Sequence, residues 1–95
     1  MRLSSYEIQS IKETFLEIFK SGSIYLFGSR IDDNQKGGDI DLYIQIDKKN
    51  NILEKKIKFL AKLKERIGDQ KIDVIISKDM SSPIEQEALT KGIKL

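Results

Sequence analysis

Three aspartates carry the chemical interest of this chain. Asp39 and Asp41 open an apolar run, Asp39-Ile40-Asp41-Leu42, and Asp73 sits inside a second one, Ile72-Asp73-Val74-Ile75-Ile76. On a strand, residues two apart share a face with Cα atoms roughly 6.5–7 Å apart, so Asp39 and Asp41 can lean toward one point. If the two strands are neighbours, Asp73 joins them on the same face. Three anions in one patch destabilise one another unless a cation sits among them. Oxygen-only donors with open positions suit Mg²⁺ or Mn²⁺, which keep waters and bind substrate phosphates. Two such ions about 3.5–4 Å apart can stabilise the attacking and leaving oxygens of a phosphoryl displacement.

Gly28-Ser29 closes the apolar run Ile24-Tyr25-Leu26-Phe27. Glycine lets backbone approach an anion closely, and exposed N–H groups after a strand can cradle a phosphate. The Ser29 hydroxyl adds a donor, and Arg30 is a candidate to contact a phosphate or a partner, or to serve as an ordinary surface residue. Each piece alone has a plainer explanation: an Asp-x-Asp as a solvated turn, Asp73 as an exposed outer residue. Together they are much more specific. The chain contains neither cysteine nor histidine, which removes thiolate chemistry, thiolate zinc sites and histidine acid–base catalysis. It has no GxxxxGK[ST] and no GxGxxG, and calcium-loop spacing from Asp32 places Lys36 and Tyr43 where oxygen ligands are required.

The elements that must position these residues follow from periodicity. Ser4 and Glu7 form a capping box ahead of Ile8, Ile11, Phe15, Ile18 and Phe19, an apolar helical face that Gly22 stops. A first strand over 24–27 ends at Gly28, and a polar loop over 29–38 leads to a second strand over about 39–46. There Ile40, Leu42, Ile44 and Ile46 point one way, and Asp39, Asp41, Tyr43 and Gln45 the other. Asn50-Asn51 offers a cap for a long helix with apolar Leu53, Ile57, Leu60, Ala61 and Ile67, ended by Gly68. A third strand over about 71–77 sets Ile72, Val74 and Ile76 against Asp73 and Ile75. Ser82, Pro83 and Glu85 start a last helix that Gly92 ends. The expected fold class is α/β (α+β): a small mixed sheet, its second and third strands parallel across a helical crossover, with helices on one face and the acids on the other.

With 95 residues, 39% hydrophobic and 34% charged, and a net charge of +2, the chain is expected to be a single globular domain over 1–95. So small a core leaves association open, as a homo-oligomer or with a permanent partner. No stretch reaches membrane-span length and no signal-peptide core is visible, so a cytoplasmic location is expected.

The combination Gly28-Ser29, nine residues, Asp39-Ile40-Asp41, then Asp73 resembles the signature of the nucleotidyltransferase superfamily that includes DNA polymerase β. It is most similar to the minimal MNT-type members. The resemblance implies a palm-like sheet binding ATP or another nucleoside triphosphate with Mg²⁺ or Mn²⁺. Gly28 and Ser29 would hold the β- and γ-phosphates, with Arg30 nearby. Asp39 and Asp41 would hold metal, and Asp73 would align or deprotonate the nucleophile beside the second ion. It also implies transfer of a nucleoside monophosphate, AMP from ATP, to a hydroxyl of a partner. Many minimal members pair with a helical HEPN-type protein, several as the antitoxin of a toxin–antitoxin system. The rival expectation is a non-catalytic antitoxin that occludes its partner, or a regulatory nucleotide-binding module. Many relatives continue Gly-Ser with Arg-Ala-Arg-Gly, whereas this chain has Arg30-Ile31-Asp32-Asp33 and then Gly37-Gly38.

Residues 48–71 hold nine Lys or Arg and three Asp or Glu, net +6, against −4 for the rest. Such asymmetry marks a solvated helix face or a binding surface. With no stacking platform of aromatics visible, direct nucleic-acid binding is the minority expectation.

Overall fold

The computed structural model describes residues 3–28, 39–47, 50–78 and 81–95. Within them the order is α1 (Ser5–Phe19), β1 (Ser23–Phe27), β2 (Ile40–Gln45), α2 (Ile52–Ile67), β3 (Ile72–Ile76), α3 (Pro83–Lys91) and β4 (Ile93–Lys94). The strands form one mixed sheet in the order β3-β2-β1-β4. β1 runs antiparallel to both β2 and β4, while β2 and β3 are parallel and joined through α2.

The expected capping box is present: Glu7 N–H donates to Ser4 Oγ, and Ser4 N–H to Glu7 Oε1. Ile11, Phe15 and Phe19 are buried and pack with Ile24, Leu26, Ile40, Leu42, Ile44, Ile72 and Val74 into the main core. α2 closes that core with Phe59 and Leu63, both fully buried. Phe19 meets Phe59 edge-on at 5.9 Å between ring centroids. Arg66 fastens the two helices, donating to Thr14 Oγ1 at 2.8 Å and to Glu17 Oε1 at 2.7 Å.

Four expectations need correction. Leu53 and Ile57 do not face the core; they are 70% and 59% exposed. Phe59 and Leu63 take the inner stripe, and large aromatic area there outweighs the rival stripe. Asn51 precedes α2 in a left-handed conformation (φ 54°) and makes no side-chain cap bond. β4 was not expected at all. Gly92 permits it, because a Cβ there would overlap the Ala88 carbonyl as the chain turns out of α3. Finally, helices occupy one face only for α1 and α2. α3 packs Ala88 and Leu89 against Phe27, Tyr43, Tyr25 and Ile75 on the other face, the one that bears the acids. Apolar area on that face has to be covered, and α3 covers it. No helix among the described residues is long and apolar enough to cross a membrane.

Candidate active site

The strand register decides which acids meet. Phe27 of β1 lies opposite Asp41 of β2, and Asp41 lies opposite Asp73 of β3. Residues side by side across a sheet share a face, with strands about 4.8 Å apart. Asp41 and Asp73 are therefore neighbours in one row, with buried Phe27 at its end. Asp39 stands just before β2. Ile40 N–H donates to the Lys71 carbonyl at 3.0 Å, tying this corner to the start of β3. Lys71 Nζ then sits 3.5 Å from Asp39 Oδ2. The register thus supplies Asp39 with a cation that the sequence pattern did not reveal.

Asp41 has no such partner among the described residues, and its carboxyl is held above the ordinary aspartate range. Partial burial is the main cause, followed by the negative charges of Asp73 and Asp39, with Lys71 offsetting them. Gly28 abuts the same carboxylate. Its φ of +80° favours glycine, and a Cβ built there would overlap Asp41 Oδ2. Gly28 thus does more than approach an anion: its bare backbone makes room for Asp41. Ser29 and Arg30, and the Asp32, Asp33, Gly37 and Gly38 of the loop, lie outside the described residues.

Among the described residues no three acids already enclose a single point as metal ligands would. Their chemistry nevertheless fits a hard divalent cation. The row offers carboxylate oxygens alone, and Asp41 bears the like-charge repulsion that such an ion relieves. Asp39, Asp41 and Asp73 are the residues that would hold it.

One comparison bears on this arrangement: the family model described as polymerase beta, nucleotidyltransferase, matches residues 9–95. The chain belongs to the polymerase β nucleotidyltransferase family. No curated protein matches it significantly. The mixed sheet with its parallel β2–β3 pair is consistent with the fold of polymerase β-like nucleotidyltransferases. A nucleotidyltransferase-type function follows from that membership.

Sequence reasoning missed a second polar cluster on the same face of this nucleotidyltransferase. Glu85, at the third position of α3, was read as part of a cap, and its N–H does donate to Ser82 Oγ at 3.4 Å. Its carboxylate, 4% exposed, also accepts from Tyr43 OH at 2.7 Å, from Ser77 Oγ at 3.0 Å and from Lys78 N–H at 3.2 Å. Tyr43 follows Asp41 by two positions on the same face, so this cluster braces the strand that carries the acid. The alternation that puts Tyr43 on the face of Asp41 was visible; its burial under α3 and its partner were not, because Glu85 lies 42 positions away.

Two expected results follow here. Gly28→Ala forces a left-handed conformation on a residue with a Cβ, at a cost of about 1–2 kcal/mol. It also pushes the Asp41 carboxylate aside, so nucleotidyl transfer should fall about 10- to 100-fold, because misplacement by an ångström costs about that much. Steady-state kinetics beside a melting curve separates the two effects. The second concerns pH. At acid pH Asp41 is protonated in both folded and unfolded chains. As pH rises past the ordinary aspartate value, near about 3.9, the unfolded chain ionises first. Stability contributed at this position is then lost until the folded carboxyl ionises too. Without divalent ions, Asp41→Asn should therefore melt above the parent at neutral pH, with the gap closing in acid. A variant that melts lower throughout would contradict the repulsion.

Proposed function

We propose that this nucleotidyltransferase domain moves AMP from ATP to a hydroxyl of a partner protein, acting as the antitoxin of a HEPN/MNT-type pair. The carrying observation is the row Asp41–Asp73, in register beside Gly28 and open to solvent through Asp73. In this reading the acceptor hydroxyl attacks the α-phosphorus. A new P–O bond forms, the bond to pyrophosphate breaks, and the hydroxyl proton passes to Asp73 or to solvent. Gly28-Ser29 backbone groups would hold the β- and γ-phosphates. A bound divalent ion would supply charge neutralisation for the triphosphate. Asp39 and Asp41 would hold that ion, Asp39 with Lys71 Nζ 3.5 Å away. Positioning and electrostatics supply most of the rate in such a transfer.

A second reading, an antitoxin that only occludes its partner, rests on the exposed apolar Leu53, Ile57 and Ile84. α-Labelled ATP, Mg²⁺ and a HEPN-type partner distinguish them: label on the partner supports transfer, and protection without label supports occlusion. Mg²⁺ with ATP should also raise the melting temperature of the chain alone. Ligand at a hundred times its dissociation constant stabilises the folded state by about 2.7 kcal/mol. No shift with millimolar ATP and Mg²⁺ would remove the nucleotide site.

A further inference from the structure

A cleft of about 680 Å³ opens between the first turns of α2, the far end of β3 and the start of α3. Val74 and Ile76 contribute to its floor and Leu53 and Ile84 to its lips, with Lys56 and Lys78 also lining it. Leu53 is 70% exposed and Ile84 49%. Ile57, one helical turn beyond Leu53 on the same side of α2, is 59% exposed. Single exposed aliphatics are ordinary, but here they continue an apolar cleft out along a helix. The apolar surface thus runs from the cleft along one side of α2, which suits a helix laid in a groove.

Charge narrows the occupant further. The charged groups lining the cleft are Lys56, Lys78 and Glu85, and the buried Glu85 carboxylate already accepts from Tyr43, Ser77 and the Lys78 backbone N–H. Lys58 is paired with Glu54 at 3.1 Å, whereas neither Lys56 nor Lys78 enters an ion pair among the described residues. An apolar channel with unneutralised lysines at its margin complements a segment that is apolar on one side and acidic on its flanks. A second copy of the chain fits less well. Its acid-bearing α1 commits Ile11, Phe15 and Phe19 to its own core and, of its large apolar residues, exposes only Tyr6 and Leu16, ten residues apart rather than on adjacent turns, while α3 commits Ala88. We infer that the cleft docks an acidic amphipathic helix of a partner protein.

The position of the cleft adds a consequence. The cleft floor reaches Val74, next to Asp73 in β3, but Val74 faces the main core and Asp73 the opposite side of the sheet. A helix seated against Val74 and Ile76 therefore leaves the aspartate row accessible. The inference goes beyond the proposed transfer and does not depend on it.

A fluorescent synthetic helix of about four turns tests it, with leucines at i, i+3, i+4 and i+7 and glutamates on its flanks. Controls are a scrambled peptide and one with lysine for each glutamate. The acidic amphipathic peptide should bind at least about tenfold tighter than either control, and more weakly as salt rises. Leu53→Glu with Ile84→Glu, both at exposed positions, should keep the melting temperature and weaken binding about tenfold or more. Equal binding of the scrambled or lysine peptide, or undiminished binding by the double variant, overturns the inference. So does sedimentation showing a self-associated parent and a monomeric variant, which assigns the surface to a second copy.

Discussion

Asp39→Asn together with Asp41→Asn should lower nucleotidyl transfer by about 10³-fold or more while leaving the fold intact. Asparagine keeps the size and one oxygen of each side chain but removes the two negative charges that would hold a divalent cation against the triphosphate. Transfer of this kind draws its rate from charge placement and alignment, so loss of charge at fixed shape removes its principal source. Stability should move little. Asp39→Asn gives up an exposed pair with Lys71, worth about 0–1 kcal/mol. Asp41→Asn relieves the burial of a charge, and after it the repulsion from Asp73 and Asp39, that together raise its carboxyl. A variant that is inactive yet no less stable is the diagnostic combination, read from single-turnover kinetics beside a melting curve. If this double variant still protected a partner fully, neutralisation by transfer would be abandoned.

Glu85→Ala should be the most damaging substitution outside the acids, lowering stability by about 2–4 kcal/mol. Among the described residues it strips one carboxylate from Tyr43 OH, Ser77 Oγ and Lys78 N–H at once. Tyr43 is fully buried and Ser77 nearly so, and each donor left unsatisfied in such a place costs about 1–3 kcal/mol. Some of that loss is recovered because an anion no longer has to be kept from water. For a domain of this size the melting point should drop by roughly 10–25 °C. Glu85→Gln keeps the volume and one acceptor oxygen, so it should fall well short of that loss. An alanine variant melting within a few degrees of the parent would mean that the cluster is incidental to the attachment of α3.

Much of this was legible in the residues, for physical reasons that can be named. β2 alternates strictly, so which of its side chains share a face follows from the period of a strand. The same period in β3 puts Asp73 beside Asp41 once the strands are parallel, as the register shows. α2 was harder. It is apolar at Ile52, Leu53, Ile57, Phe59, Leu60, Leu63 and Ile67, an arc of about 160° around the helix, so periodicity alone could not say which edge of the arc would be buried. Burial of Phe59 and Leu63 chose, and it stranded Leu53 and Ile57 outside. β4 is too short to leave a pattern. Lys71 and Glu85 were recognisable as charges, but their partners depend on strand pairing and on the face α3 takes, neither of which is a local property.

The alternation of β3 has a consequence for how this domain tolerates change. Ile72 and Val74 face the main core, and Asp73 between them is exposed. A residue inserted within this short stretch would turn the aspartate inward and an aliphatic outward in one stroke. Chemistry and folding would fail together, so no lineage could drift through a folded but misaligned intermediate. An added residue in the Gly68–Gln70 connection, where a Cβ on Gly68 would meet nothing, should instead be absorbed as a slightly larger bend. The oily side chains beneath the sheet act as the gauge that keeps the carboxylates level.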